Sequence, residues 1–221
     1  SHLNVYGTYN VGLLCFQNNQ MGLEVLRWWR QRCIEWCYAR IEDGKFADQG
    51  YLNDWTTRFP NVAVLKNIGA GVAPWNCAQY DYTESDVSGV LVRGIPLVFY
   101  HFHSLAFVTP EVVIPAKLPV YPLTEAVLRY CVLPYLRALS RAIASARDVL
   151  PDWKFGLFSD GLLSDQHVVL AKGALPQSLK SAEYIRSKIL LDAEWSCYGS
   201  PQLIEVGGEP IIQRASSGVE L

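Results

Sequence analysis

Four clusters in the first half of the chain combine residue types suited to chemistry. Asn10 and Gly12 lie in Gly7-x-x-Asn10-x-Gly12. The carboxamide offers a donor and an acceptor to a hydroxylated ligand, and the glycines admit a ligand close to the backbone; a strand bend with a satisfied Asn is the alternative. Asp48 and Gln49 lie in Phe46-Ala47-Asp48-Gln49-x-x-Leu52-Asn53. A carboxylate beside a carboxamide orients sugar hydroxyls, whereas an Asp at that place also caps the first amides of a short helix. Trp75 and Asn76 follow Ala73-Pro74; a rigid Pro, a ring and an amide suit a pyranose, or the Trp plugs the core beneath a loop. In Tyr100-His101-Phe102-His103 the i, i+2 spacing puts two imidazoles on one strand face. There they can ligate one divalent transition ion, the other reading being satisfied core histidines.

The elements that must position these groups are legible in part. Residues 7–16 read as a strand whose continuous apolar end is buried on both faces. Gln17-Asn18-Asn19 is a turn and helix cap. The helix after it carries Leu26, Trp29, Cys33 and Trp36 at helical spacing, with Arg27, Gln31 and Glu35 as a polar row, and Asp43-Gly44 ends it. Residues 46–59 predict a short helix and 62–66 a short strand, followed by a Gly-rich loop over 69–75. Residues 90–92 and 95–102 predict a hairpin about Arg93-Gly94. Alternation places Leu97, Phe99, His101 and His103 on one face of its second arm, and Val98, Tyr100 and Phe102 on the other.

Four prolines (Pro110, Pro115, Pro119 and Pro122) make residues 109–122 an extended linker or wrapping arm, because each fixes φ and removes a donor. Thr124 caps a long helix reaching Asp148, kinked or split at Pro134. Beyond Pro151 one weakly helical stretch, 178–195, stands out, and Asp165-Gln166-His167 reads as a loop. The expected division is 1–108, a linker over 109–122, and a mostly helical 123–221.

Composition bounds the function. The chain has 221 residues, half of them hydrophobic and 18% charged, which permits a sizeable core and excludes general disorder. A net charge of −2 removes the electrostatic argument for nucleic acid. No apolar run reaches the roughly 18 residues of a membrane span and no signal-peptide pattern opens the chain, so the expectation is a cytoplasmic protein with no transmembrane segment. The six cysteines include no C-x-x-C pair and read as reduced core thiols.

Taken together and in order, residues 7–16 (GTYNVGLLCF), Leu26-Arg27-Trp28-Trp29, DQGYLN, APWN and LVFYHFHS resemble the C-terminal half of A-type, nucleotide-sugar-dependent glycosyltransferases. The glycogenin/galactosyltransferase-like group and its bacterial relatives are nearest, and the resemblance covers roughly residues 5–108. It implies an α/β fold with a mixed sheet, a helical appendage from about Thr124, and transfer of a sugar from a nucleotide diphosphate donor to an acceptor hydroxyl. Carried over residue by residue, Asp48 is the catalytic candidate, and Asn10, Gly12, Gln49, Trp75 and Asn76 line the sugar subsite. His101 is a ligand for Mn2+ or Mg2+, and His103 a second.

Three features depart from the family pattern. Ser104 stands where the family has Gly, no lysine segment is recognisable at 105–110, and no D-x-D precedes Asn10. The D-x-D holds the ion that bridges the diphosphate, so its absence leaves a mechanistic gap. The expectation is therefore a fragment, or a chain whose nucleotide-binding half comes from a partner chain. A non-catalytic sugar- or nucleotide-binding relative and an assembly subunit are the alternatives.

Overall fold

The computed structural model describes residues 6–116, 121, 123–151, 168–176 and 187–199. The chain forms two compact units, the first holding the described residues up to Gly71 and the second beginning at Val72. Helices and strands are mixed, as expected.

In the first unit, α1 (Gln20–Glu35) begins where Asn19 accepts a hydrogen bond from the Gly22 amide at 2.9 Å. Its inward face centres on Val25, with Trp28, Trp29 and Cys33 half-buried and Leu26 exposed, one position away from the expected stripe. The helix ends at Glu35, well before Asp43-Gly44. Those two residues instead adopt φ of 50° and 73° and turn a small hairpin in which Glu42 and Lys45 exchange backbone hydrogen bonds. A 3-10 helix (Gln49–Asp54) runs into α2 (Trp55–Arg58), filling the region expected to be helical. Val25, Leu52 and Trp55 form the core, against which Val11, Leu14, Phe16, Trp29 and Val62 pack.

Neither strand expected in this unit forms a ladder. Residues 7–12 are turns because side chains, not a neighbouring strand, take up their main chain. Asn53 Oδ1 accepts from the Thr8 amide at 2.7 Å, and Asn10 Oδ1 accepts from the Gly12 amide at 2.7 Å. Residues 62–66 likewise pair with no strand among the described residues.

The second unit carries two antiparallel sheets. The smaller has β1 (Tyr82–Ser85), β2 (Gly89–Val92) and β3 (Ile95–Pro96) in that order. The expected hairpin is present: Val92 pairs Ile95 across Arg93-Gly94, whose φ values of 49° and 77° define a turn of the I′ kind. Its second arm is shorter than expected, because Pro96 has no amide to extend the ladder and Leu97 adds one bond to the Val90 carbonyl.

The larger sheet uses β4 (Ala106–Thr109), β5 (Val112–Ile114), β6 (Val169–Lys172), β7 (Ser187–Leu190) and β8 (Trp195–Gly199) in the order β4-β5-β6-β8-β7, every pairing antiparallel. Two expectations change here. The segment 109–122 contains a buried strand, since Val112, Val113 and Ile114 outweigh the flanking prolines, and the boundary expected at 108 falls inside β4. Within 178–195, residues Ser187–Leu190 and the start of β8 are strands; sheet pairing overrides a weak helical pattern. Residues 178–186 and Asp165-Gln166-His167 lie outside the described residues.

Thr124 accepts from the Val127 amide at 3.2 Å and opens α3 (Glu125–Val127), a π turn (Leu128–Val132) and α4 (Leu133–Val149). Pro134 explains the π turn. It has no amide for the Tyr130 carbonyl and its ring crowds that oxygen, so the preceding turn widens instead of breaking. Arg129 fastens this helix to the sheet by donating to the carbonyls of Leu190 and Leu191.

All six cysteines are free, but Cys15 and Cys37 are exposed; only Cys77, Cys131 and Cys197 are buried thiols as expected. Among the described residues, no helix is long and apolar enough to cross a membrane.

Candidate functional site

The candidate residues of the first unit gather at the start of the 3-10 helix. Gln49 Nε2 donates to the Tyr6 carbonyl at 2.7 Å, while its Oε1 accepts from Asn10 Nδ2 at 3.2 Å. Asn53, one helical turn on, holds Thr8. Asn10, Gly12 and Gln49 are thus brought together, with each carboxamide spending one donor and one acceptor on the scaffold and keeping the rest. Gly7 has φ +118°, and a Cβ there would stand 3.4 Å from Asn53 Oδ1. Asn53 is a positioning residue that reading the motif left without a role; its i, i+4 spacing from Gln49 was the available signal.

Asp48 precedes the 3-10 helix, but its side chain makes no cap bond. It is held through its main chain, the Asp48 carbonyl accepting from Trp29 Nε1 at 3.0 Å. The capping alternative is therefore not what the side chain does. The half-buried carboxylate has no hydrogen bond or ion pair among the described residues. It lies near the Cys33 thiol, which burial, then Cys37, then the Asp48 charge push up to about 11. The Asp48 carboxylate keeps its acceptor positions open to a hydroxyl donor.

In the second unit the Ala73-Pro74-Trp75-Asn76 loop is anchored on both sides of its indole. The Asn76 carboxamide accepts from the Ala73 amide at 2.8 Å, and Cys77 is fully buried. Trp75 itself is 39% exposed, so it does not plug a core. Val72 bridges Tyr100 and accepts from the His101 amide at 2.8 Å, which seats residues 100–101 beside this loop. The His103 amide donates to the His101 carbonyl at 2.8 Å, and Ser104 turns away at φ +60°.

The two imidazoles are neighbours through this tight turn and not through the expected strand alternation, since residues 101–103 lie in no strand. Their ring centroids lie 5.9 Å apart at 24°, and Trp75 is 5.3 Å from His101 and 5.6 Å from His103. Tyr121 closes the group at 6.2 Å from Trp75 and 5.9 Å from His103. Tyr121 was read only as part of a proline-rich arm; an aromatic among prolines was the signal that could have singled it out. Burial first, and the His103 charge second, hold the His101 imidazole below its ordinary value. It therefore stays neutral at pH values where an ordinary histidine begins to protonate, which suits ligation and stacking alike.

The donor set bears on a divalent cation. Among the described residues no third His, Cys, Asp or Glu joins the two imidazoles, so there is no closed protein cage. A cation that takes most of its ligands from phosphate oxygens and water needs one or two protein groups, and a neutral imidazole suits Mn2+ better than Mg2+. His101 and His103 fit that partial role.

Comparison with known proteins places the chain beside two from Bacillus subtilis (strain 168). It is 39% identical to the uncharacterized protein YfnF over 103 residues, 47% of this chain and 34% of YfnF. It is 30% identical to the uncharacterized protein YfnD over 173 residues, 76% of this chain and 54% of YfnD. No protein-family model matches, and no solved structure matches. The chain thus spans about a third and about half the lengths of the curated relatives it matches.

Proposed function

We propose that this chain is part of a glycosyltransferase of the A-type, nucleotide-sugar-dependent kind, its sheet in the complete enzyme being mixed. The observation that carries this reading is the exposed Trp75 ring set among His101, His103 and Tyr121. Such a face presents an apolar surface for the C–H groups of a pyranose and polar edges for its hydroxyls.

In this reading the acceptor oxygen bonds to the anomeric carbon as the bond from that carbon to the nucleoside diphosphate breaks, the electron pair leaving with the diphosphate. Asp48 takes the acceptor's proton, or its charge steadies the oxocarbenium-like transition state. Asn10, Gly12 and Gln49 orient sugar hydroxyls from a preorganised turn, and Asn76 holds the Trp75 loop in shape. His101, with His103 beside it, would hold a divalent cation, which would supply charge neutralisation for the departing diphosphate. The six free thiols support a reducing compartment such as the cytoplasm.

A second reading, a non-catalytic sugar-binding relative, is favoured by the two-imidazole donor set with no third ligand among the described residues. One experiment decides. Donor hydrolysis and transfer are measured with manganese for the wild type, Asp48→Ala and His101→Ala. Loss of turnover in both variants supports the transferase; calorimetric sugar binding with no turnover in any protein supports the second reading. Equal turnover in all three removes the assigned roles.

A further inference from the structure

Cys33 and Cys37 stand four residues apart where α1 gives way to extended chain. Cys33 is half-buried in the last turn of the helix, which ends at Glu35, and Cys37 is exposed just beyond that end. The two thiols are within hydrogen-bonding reach of each other. Neither has a part in the proposed sugar transfer.

The main chain on both sides of Cys37 is held. The Trp36 amide donates to the Arg32 carbonyl at 3.0 Å, and the Trp36 carbonyl accepts from Tyr51 Oη at 2.8 Å. The Tyr38 carbonyl accepts from the Ala47 amide at 3.0 Å. One sulfur on a helix and a second on an anchored segment therefore meet without the ordering cost that two free segments would bear. A metal ion is the other common guest of paired thiolates. Among the described residues, however, no third His, Cys, Asp or Glu completes a ligand group with these two.

We infer that Cys33 and Cys37 are a dithiol that closes reversibly to an intramolecular disulfide by exchange with a small disulfide of the glutathione class. The exposed Cys37 sulfur, as thiolate, attacks one sulfur of the small disulfide, whose S–S bond breaks and releases one small thiolate. The Cys33 thiol then gives its proton to solvent and attacks the Cys37 sulfur, displacing the second small thiolate. Two electrons pass from the protein dithiol to the small disulfide, and the two protons released balance the two small thiols formed. Burial, the Cys37 charge and the hydrogen bond to Cys37 push the Cys33 thiol up to about 11, so Cys33 resolves the adduct and does not enter first. Joining Cys37 to the small thiol removes the Cys37 contributions and releases Cys33 for the second step.

The purified chain, native or in urea, is equilibrated with mixtures of reduced and oxidised glutathione, quenched with N-ethylmaleimide and digested with trypsin. Cleavage after Arg32 and Arg40 leaves both sulfurs in one peptide, 33–40. The expected product is that peptide without maleimide and lighter by two hydrogens, with a closing constant in the native chain roughly tenfold or more above that in urea. In Cys33→Ser, Cys37 keeps one glutathione; in Cys37→Ser, Cys33 stays open to maleimide in the same mixture. A Cys37–glutathione adduct as the end product in the wild type, a link from Cys37 to a second chain, or a closing constant no larger than in urea would each overturn the inference. So would uptake of glutathione by Cys33 in Cys37→Ser.

Discussion

The rings of Trp75 and His101 lie 5.3 Å apart at an interplanar angle of 52°, with the indole open to solvent and the imidazole part-buried behind it. The indole therefore offers a face to a ligand, and the histidine senses what happens there. Trp75→Ala removes the ring contacts with His101, His103 and Tyr121, so stability falls by about 1–2 kcal/mol. Affinity for a sugar stacked on the ring falls by roughly tenfold or more, from the loss of one stacking contact of about 1–2 kcal/mol. Calorimetric titration with the donor and with free sugars measures this; unchanged affinity excludes the indole from the subsite.

His101 titrates below the ordinary histidine range, from burial first and from His103 second. The sign follows: a depressed value in the folded state means that the folded form resists protonation. Its stabilising contribution is complete above the unfolded-state pKa and declines as pH falls through the folded-state value. His103→Asn removes the repelling charge, so the His101 value rises while the effect of burial persists. Proton NMR of the imidazole resonances checks both, and an upward shift in the wild type contradicts the geometry.

Gln49 ties Tyr6 and Asn10 to the 3-10 helix. Gln49→Ala releases the 6–12 segment and destabilises the first unit by about 1–2 kcal/mol, given two hydrogen bonds of about 1 kcal/mol each. Gly7→Ala costs about 1–2 kcal/mol independently, since φ +118° is unsuited to an L-residue and the new methyl meets Asn53. Denaturant titration followed by tryptophan fluorescence measures each change; a stable Gly7→Ala chain refutes the turn.

Arg93 occupies a left-handed position, φ 49°, in the two-residue turn between β2 and β3. Asn tolerates that conformation better, so Arg93→Asn stabilises the hairpin by about 0.5 kcal/mol, whereas Gly94→Val, at φ 77°, destabilises it by about 1–2 kcal/mol. Paired unfolding curves show opposite shifts in midpoint if the turn is formed as described.

Asp192 links β7 to β8 by accepting the Glu194 and Trp195 amides at 2.8 and 2.7 Å, and it pairs with Arg137 of α4. Burial raises its pKa, but those two amides and Arg137 outweigh it and hold the carboxyl below the usual range. Its contribution is present above the unfolded carboxylate pKa and lost as pH falls through the folded value. Asp192→Asn flattens the acid limb of the stability curve, read by the midpoint of acid unfolding; an unaltered limb removes the link.

The residues 1–221 determined by themselves whatever depends on near neighbours. Asn19 and Thr124 cap helices because a side-chain oxygen reaches an amide three residues on. Arg93-Gly94 turns a hairpin because both dihedrals are local, and His101 and His103 are neighbours because the His103 amide folds back onto the His101 carbonyl two residues before it. What the tertiary structure decided lies beyond local reach. Residues 7–12 became turns because Gln49 and Asn53, some forty positions away, claimed their polar groups. Ser187–Leu190 became strand through the register with β8, overriding a weak helical pattern. Tyr121 joined the Trp75 group through contacts that no spacing encodes. Propensity and capping act over a few residues, whereas a satisfied hydrogen bond or packed ring between distant positions is fixed only when the chain closes on itself.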